Sequence, residues 1–294
     1  NAIAYTEAAI DKGLDVNIFS QQMSFFFNSH NNFFEEVAKF RAARKIWANI
    51  MKNRFNVNNK KGQMCRFHTQ TAGSTLQAQQ IDNNIIRTTM QATAAILGGT
   101  QSLHTNSKDE ALSLPTEKSA QIALRTQQIL AYETGIPNVA DPLAGSYYIE
   151  DLTNQIEKKT LNLMSNIDEL GGAISAIEIN FQQNKIADSA YKYQKSIENN
   201  EQVIVGTNKF NTSPSNESHS TFEIDIKSSE EQLARLTNFK KNRNLDIVKD
   251  SLYSLSNSIN DNTNLVPIII SCIKNHCTLG EICDTMKNVF GEHI

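Results

Sequence analysis

Cysteine, proline and tryptophan are scarce in this sequence, at four, five and one of 294 residues. The cysteines (Cys65, Cys272, Cys277 and Cys283) are too few for a disulfide-stapled scaffold, and their sparse use points to a reducing cytoplasmic compartment. Cys272, His276 and Cys277 crowd together, but they match no structural zinc spacing and no second paired motif answers them, so no metal ligands are expected. No apolar run approaches the ~18 residues that cross a bilayer, which argues against a membrane protein. Neither sign of charge dominates: 28 basic residues face 31 acidic ones, for a net charge of −3. Without a basic stretch to neutralise phosphates, nucleic acid is not an expected partner. No charged-then-apolar leader opens the chain, so no secretory signal is expected. The first residue is Asn1 rather than Met, and an incomplete chain is the expectation. Glycine-rich nucleotide fingerprints, phosphate-binding loops and the Ser elbow of hydrolases are missing as well.

What is present is a repeat of strand-like and helix-like segments, in a length that suits one large domain or two modest ones. Met23 to Phe27 is short, apolar and aromatic, as a buried strand is. From Asn32 to Asn53 the residues Phe34, Val37, Ala38, Ala42, Ile46, Trp47 and Ile50 recur at helical spacing. Met64 to Gln70 reads as a second strand, residues 82–97 as a helix closed by Gly98 and Gly99, and Ser102 to Asn106 as a third strand. Pro115 and Thr116 open a helix that Gly135 stops, and Asp141 to Glu150 reads as a loop with a last short strand. Units of ~35–40 residues indicate an α/β parallel arrangement, and polar residues near strand ends suit a (β/α)8 barrel. A doubly wound open sheet also places ligands at strand ends, but no glycine-rich fingerprint favours it. Because a barrel takes ~250 residues, only part of one is expected here, with a helical segment after it. Residues 1–205 would hold the incomplete barrel and its following helices, 206–227 an Asn/Ser-rich linker, and 228–294 the helical segment. In the last, Ser228 with Glu231 and Thr278 with Glu281 read as capping boxes.

The densest polar segment is RFHTQTAGSTL, Arg66 to Leu76. Strand alternation puts Arg66, His68 and Gln70 on one face, a cation, an imidazole and an amide suited to a polar or anionic ligand. The same His68 and Gln70 could instead satisfy each other inside a barrel. A second segment, GGTQSLHTNSKDEA from Gly98 to Ala111, offers Gln101, Ser102, His104 and Asn106 beside two glycines, with Glu110 in the loop beyond. Glu110 is either an acceptor for ribose hydroxyls or a base, or else a solvent-facing acid.

Together with DNNIIRTTMQATAAILGGTQSLHTNSKDEALSLPTEKSAQIALRTQQILAYETG, VADPLAGSYYIE, the opening YTEAAIDKGLDVNIFSQQMSFFF and the closing TLGEICDTMKNVFGEHI, these segments resemble the large catalytic subunit of methylmalonyl-CoA mutase and its acyl-CoA mutase relatives. The resemblance covers nearly the whole chain, least so residues 208–220. It implies the fold class of the C-terminal part of a (β/α)8 TIM-type barrel followed by a helical post-barrel domain. It also implies an isomerase that rearranges the carbon skeleton of an acyl-CoA with adenosylcobalamin, whose cobalt–carbon homolysis starts a radical reaction. The cofactor carries the chemistry while the protein orients and shields it. By the resemblance, Ser24, Arg66, His68, Gln101 and Ser102 face the acyl-CoA substrate. Gln70 and Ser74 lie near the corrin or adenosyl group, and Glu110, with backbone help around Ala111, holds the ribose. No catalytic residue falls in this chain, because the Tyr, Arg and His expected at the reacting carbons belong to upstream strands outside the sequence. No DxHxxG cobalt-ligand motif occurs, so a separate cobalamin-binding small subunit is an expected partner, in an oligomer. Two positions depart from the pattern. Ser74 stands where many methylmalonyl enzymes carry Trp, and Gln22 where an Arg usually faces CoA. Interconversion of methylmalonyl-CoA and succinyl-CoA is the expected activity. The alternatives are an isobutyryl-CoA or 2-hydroxyisobutyryl-CoA mutase large subunit, or a catalytically inert truncated chain or assembly partner.

Overall fold

The computed structural model describes residues 1–212, 222, 225–261 and 263–292. Two compact units divide the chain, Asn1–Phe222 and Glu223–Ile294. The first begins with helices α1 (Ala2–Asp11) and α2 (Val16–Phe19) and a 3-10 turn that leads into strand β1 (Phe25–Ser29). Then follow α3 (Phe33–Asn53), α4 (Lys60–Gln63), β2 (Phe67–Thr71), α5 (Asn83–Leu97), β3 (Ser102–His104) and α6 (Glu117–Tyr132). Helices α7 (Tyr147–Glu169), α8 (Ala173–Glu178) and α9 (Phe181–Glu198) complete the unit.

The strands form one parallel sheet in the order β1-β2-β3. Phe26 pairs with His68 and His68 with Ser102; Asn28 pairs with Gln70 and Gln70 with His104. Alternation along each strand sends Phe25, Phe27, Phe67 and Leu103 into a core with Phe40, Trp47 and Met51 of α3 and Ala95 of α5. There Phe40 stacks on Phe67 at 5.1 Å, and Trp47 meets Phe25 edge-on at 4.8 Å. The opposite sheet face carries Ser24, Phe26, Asn28, His68, Gln70, Ser102 and His104, all exposed or half-exposed. Phe26, at 62% exposure, shows how open this face is.

Helix α7 lies along α3. Arg41, Lys45 and Arg54 reach across to Glu150 (2.8 Å), Glu157 (2.6 Å) and Asp168 (2.8 Å). The aromatic run at Tyr147 and Tyr148 does not form the expected last strand but opens α7. The Glu150 carboxylate, at the first turn, accepts from the Gly145 amide and from Arg41, and these bonds fold the segment back as a helix start.

The second unit is helical: α10 (Ile226–Asn242), α11 (Leu245–Asn260), α12 (Leu265–Lys274) and α13 (Leu279–Phe290). Val248, Leu255, Ile259, Cys272, Cys277 and Ile282 form its core. The capping box of Thr278 and Glu281 is present at α13. The one expected at Ser228 is not: Asp225 caps α10, its carboxylate accepting from the Lys227 amide, and Ser228 falls inside the helix. Of the expected linker, residues 213–221 and 223–224 lie outside the described residues. Its beginning is held to the loop after β2, with Thr207 Oγ1 donating to Gln77 Oε1 at 3.1 Å and Gln80 Nε2 to the Phe210 carbonyl at 3.0 Å.

Candidate functional site

The exposed sheet face is a polar track that runs with the strands. At its start Ser24 precedes β1, and the Phe25 amide donates to the Arg66 carbonyl, bringing Ser24 and Arg66 to one level. The Arg66 guanidinium turns to the chain before β1, where Nη2 donates to the carbonyls of Gln21 and, at 3.2 Å, Met23. Arg66 Nε is buried without a partner among the described residues. Gln101 also sits at this end. Its Oε1 accepts from the Phe67 amide and its Nε2 donates to the Gly99 carbonyl, both at 2.7 Å. An amide group has a further N–H and a further lone pair, so Gln101 braces the strand and keeps capacity for a ligand.

Mid-track, His68 Nδ1 and Ser102 Oγ share a hydrogen bond of 2.7 Å, and the Phe26 ring lies 5.2 Å from the imidazole. The bond fixes the ring and leaves Nε2 for a ligand. Gln70 does not pair with His68. Its Nε2 donates to Asn106 Oδ1 at 3.1 Å, so of the two readings of these side chains the mutually satisfied pair is not the one observed. From Arg66 to Gln70 the track rises ~13 Å at ~3.3 Å per residue, long enough for an extended ligand laid along the strands.

At the C-terminal end the loops after β2 and β3 meet. Thr71 Oγ1 donates to Asn106 Oδ1 at 3.0 Å, and the Asn106 amide donates back to it at 2.9 Å. Asn106 is 2% exposed, yet its Nδ2 has no partner among the described residues. A Cβ added at Gly73 would lie 2.9 Å from that nitrogen and 3.6 Å from Glu110 Oε1. The bare backbone at Gly73 therefore opens a small cradle with a donor on one side and an exposed carboxylate on the other. Ser74 sits beside it in the turn Gly73–Thr75, and Ala111 follows Glu110 on the exposed loop. Glu110 and His104 also line a cleft of about 430 Å³ with Thr105, Ser107, Leu114 and Gln127.

The Glu110 loop is pinned by its buried neighbour. Burial pushes the Asp109 carboxyl up, but bonds from the Thr116 amide and from the Ser119 and Thr116 hydroxyls outweigh it and hold it below the usual carboxylate range. Ser24, Arg66, Gln101, His68 and Ser102 thus share the first part of the track, and Gln70, Ser74, Glu110 and Ala111 its far end. Phe26, Thr71 and Asp109 also shape the site and are not among the residues the sequence motifs single out. Phe26 was recoverable from alternation, since it shares the parity of Ser24, whereas the Asp109 pin depends on bonds only the folded loop makes. Among the described residues, no group of three or more His, Cys, Asp or Glu side chains is placed to hold a metal ion. Among the same residues, no helix is long and apolar enough to cross a membrane.

A parallel sheet of three strands with helices between them places the first unit in the α/β class. The family model for methylmalonyl-CoA mutase matches residues 1–292. The chain is 42% identical over 293 residues to a probable mitochondrial methylmalonyl-CoA mutase of Caenorhabditis elegans, covering all of this chain and 39% of that protein. It is 40% identical over 297 residues to the 2-hydroxyisobutanoyl-CoA mutase large subunit of Aquincola tertiaricarbonis, covering all of this chain and 52% of that one. The methylmalonyl-CoA mutase of Rhizobium meliloti (strain 1021) is 40% identical over 293 residues, covering 98% of this chain and 41% of that protein. The chain belongs to the methylmalonyl-CoA mutase family, and it spans about two-fifths to half the length of these relatives.

Proposed function

We propose that the chain forms the C-terminal barrel portion and the following helices of an adenosylcobalamin-dependent acyl-CoA mutase, with methylmalonyl-CoA and succinyl-CoA as its interconverted pair. Residues 1–205 would then belong to an eight-stranded barrel whose interior is the open sheet face, 206–227 to a linker and 228–294 to the post-barrel helices. The observation that supports this most is the track itself: a largely polar face that runs with the strands and ends in the cradle of Gly73, Asn106 and Glu110.

The residues present fit the cofactor, because an orphaned buried donor and a carboxylate flank a space that a side chain would fill. When bound, adenosylcobalamin supplies the radical chemistry of the rearrangement. The Glu110 carboxylate would accept from the ribose hydroxyls, with the Asn106 amide group beneath it and the Ala111 backbone beside it. Gln70 and Ser74 would hold the corrin or adenosyl side. Along the track Ser24, Gln101 and Ser102 hold the CoA arm, Arg66 stands at its start, and His68 presents Nε2 to the acyl-thioester end. Phe26 beside the imidazole keeps water off that segment. A cobalamin-binding small subunit is the partner we assign, since one relative is named a large subunit, and we take the assembly to be an oligomer. The compartment we assign is the cytosol, on the sparse use of cysteine.

A second reading, a sister mutase for isobutyryl-CoA or 2-hydroxyisobutyryl-CoA, is favoured by Ser74 and by the 40% identity to the 2-hydroxyisobutanoyl enzyme. The test is turnover of the full-length protein with adenosylcobalamin and a cobalamin-binding subunit. Methylmalonyl-CoA is expected to give succinyl-CoA. Turnover of a branched or hydroxylated acyl-CoA alone moves the assignment to the second reading, and no turnover of any of them overturns both in favour of an inert chain. Glu110→Ala is expected to weaken use of adenosylcobalamin ~10-fold or more, as loss of a bond to a charged group does, without loss of fold.

A further inference from the structure

Two buried amide side chains on α5 have no part in the function proposed above. Asn84 and Gln91 stand seven residues apart on one face of the helix, two turns or ~10.5 Å along its axis. They are 0% and 1% exposed. Gln91 Oε1 accepts from the Ala72 amide at 2.9 Å, and its Nε2 donates to Asn31 Oδ1 at 2.6 Å and Thr75 Oγ1 at 2.7 Å. The Gln91 carbonyl accepts from Ser29 Oγ at 2.8 Å. One residue thus ties the end of β1 to both sides of the Gly73–Thr75 turn. Asn84 Oδ1 accepts from the Gln77 amide at 3.0 Å and from Arg87 at 2.7 Å. Its Nδ2 donates to the carbonyls of Gln77 at 2.9 Å and Lys108 at 2.8 Å. It thereby joins the loop after β2 to the loop after β3, two residues before Glu110.

We propose that Gln91 and Asn84 are positioning residues that set the two walls of the cradle, Gly73 with Ser74 on one side and Glu110 on the other, at a fixed separation. The proposal rests on the reading of that cradle as the ribose site. Backbone groups in tight loops must find partners when buried, and here a helix interior supplies them rather than water. All four hydrogen-bonding capacities of Asn84 and three of the four of Gln91 are used, so neither side chain can turn without breaking bonds in a cradle loop. Apolar packing at the same positions would fill the space but leave the loops free to shift, and a displacement of about 1 Å is enough to spoil a binding geometry.

The test compares Gln91→Met, Asn84→Leu, Gln91→Glu and Asn84→Asp in the full-length protein, by hydrogen-exchange mass spectrometry and by calorimetric binding of 5′-deoxyadenosine. For Met and Leu, amide exchange in residues 72–77 and 107–111 is expected to quicken at least ten-fold, while peptides of α3 and β1 stay unchanged. The dissociation constant for 5′-deoxyadenosine is expected to rise at least ten-fold. The Glu and Asp variants keep the acceptors for the Ala72 and Gln77 amides but lose the donors. They are therefore expected to slow exchange part of the way back in residues 72–77 while Asn84→Asp leaves residues 107–111 loosened, a split a purely structural role does not foresee. Unchanged loop exchange, exchange quickened across the whole unit, or loosened loops with unchanged affinity would each overturn the proposal. Failure of the unaltered protein to bind 5′-deoxyadenosine counts against the ribose reading, and the exchange pattern then still decides whether the amides position these loops.

Discussion

The four cysteines sit in unlike surroundings. Burial pushes the Cys65 thiol up to about 11 against a smaller downward pull from Arg44, and burial with the neighbouring Cys272 pushes Cys277 to about 11. Cys272 is raised too, again chiefly by burial. Since the thiolate is the reactive form, iodoacetamide at pH 7.5 is expected to label exposed Cys283 and leave the other three intact until the chain is unfolded. Peptide mapping checks this, and early labelling of Cys277 would sink it. Asp109 supplies a second case. Its carboxyl lies below its unfolded value, so the stabilisation it gives is present above the usual Asp range and is lost as pH falls through the depressed folded value. Asp109→Asn weakens the bonds to Thr116 at all neutral pH, at a cost of about 1–3 kcal/mol. Its unfolding free energy is expected to fall less steeply than that of the unaltered chain between pH 5 and pH 3, measured in urea. Equal slopes would assign the acid response to other carboxylates.

At the scale of elements, burial of aromatic side chains from one sheet face is what holds the βα units together. Phe40 is fully buried and stacks on Phe67. Phe40→Ala is expected to cost ~3–5 kcal/mol, read as a lowered urea midpoint of Trp47 fluorescence, and a loss under 1 kcal/mol would contradict this role. The alternation that makes these faces is local, which is why the three strands and the helices around Trp47 and Ala95 could be read from the sequence. The limits of the strands could not. Pairing of β1 begins at Phe25, where the amide meets the Arg66 carbonyl, and continues through polar Asn28 and Ser29. Ser29 is tolerated there because its hydroxyl finds the carbonyl of Gln91, 62 residues away. The aromatic pair Tyr147 and Tyr148 carries strand propensity, but Arg41 on α3 holds Glu150 and the segment becomes a helix start. Of the site, the face shared by Arg66, His68 and Gln70 follows from strand period alone. The cradle does not, since Gly73, Asn106 and Glu110 come together only through loop contacts that depend on Thr71, Asn84 and Gln91.

At the scale of the whole molecule, the two units each possess a core, one built around Phe40 and Trp47 and the other around Leu255 and Cys272. The single tryptophan belongs to the first, so fluorescence reports that unit while far-UV circular dichroism reports helices of both. In the second unit Arg243 grips Glu281, with Nη1 2.7 Å from Oε2 and Nη2 against Oε1. The same carboxylate accepts from the Thr278 amide at 2.8 Å. The Arg243 bond, aided by Thr278 and opposed by burial, draws the Glu281 carboxyl down to about 2 from its ordinary 4.5. A depressed folded value means stabilisation that is complete above the ordinary pKa and is lost as pH falls from about 4.5 toward about 2. Glu281→Gln is therefore expected to destabilise the second unit at pH 7 by ~1.5–3 kcal/mol, the range for a bond to a charged group, and to differ less from the unaltered chain as the pH approaches 2. The dichroism transition is expected to acquire an earlier helical phase while the Trp47 midpoint stays where it was, because two-state behaviour belongs to each core rather than to the chain. Equal shifts of both signals would mean that the cores unfold as one, and an unshifted dichroism curve would mean that the Arg243–Glu281 clasp contributes nothing to the unit that contains it.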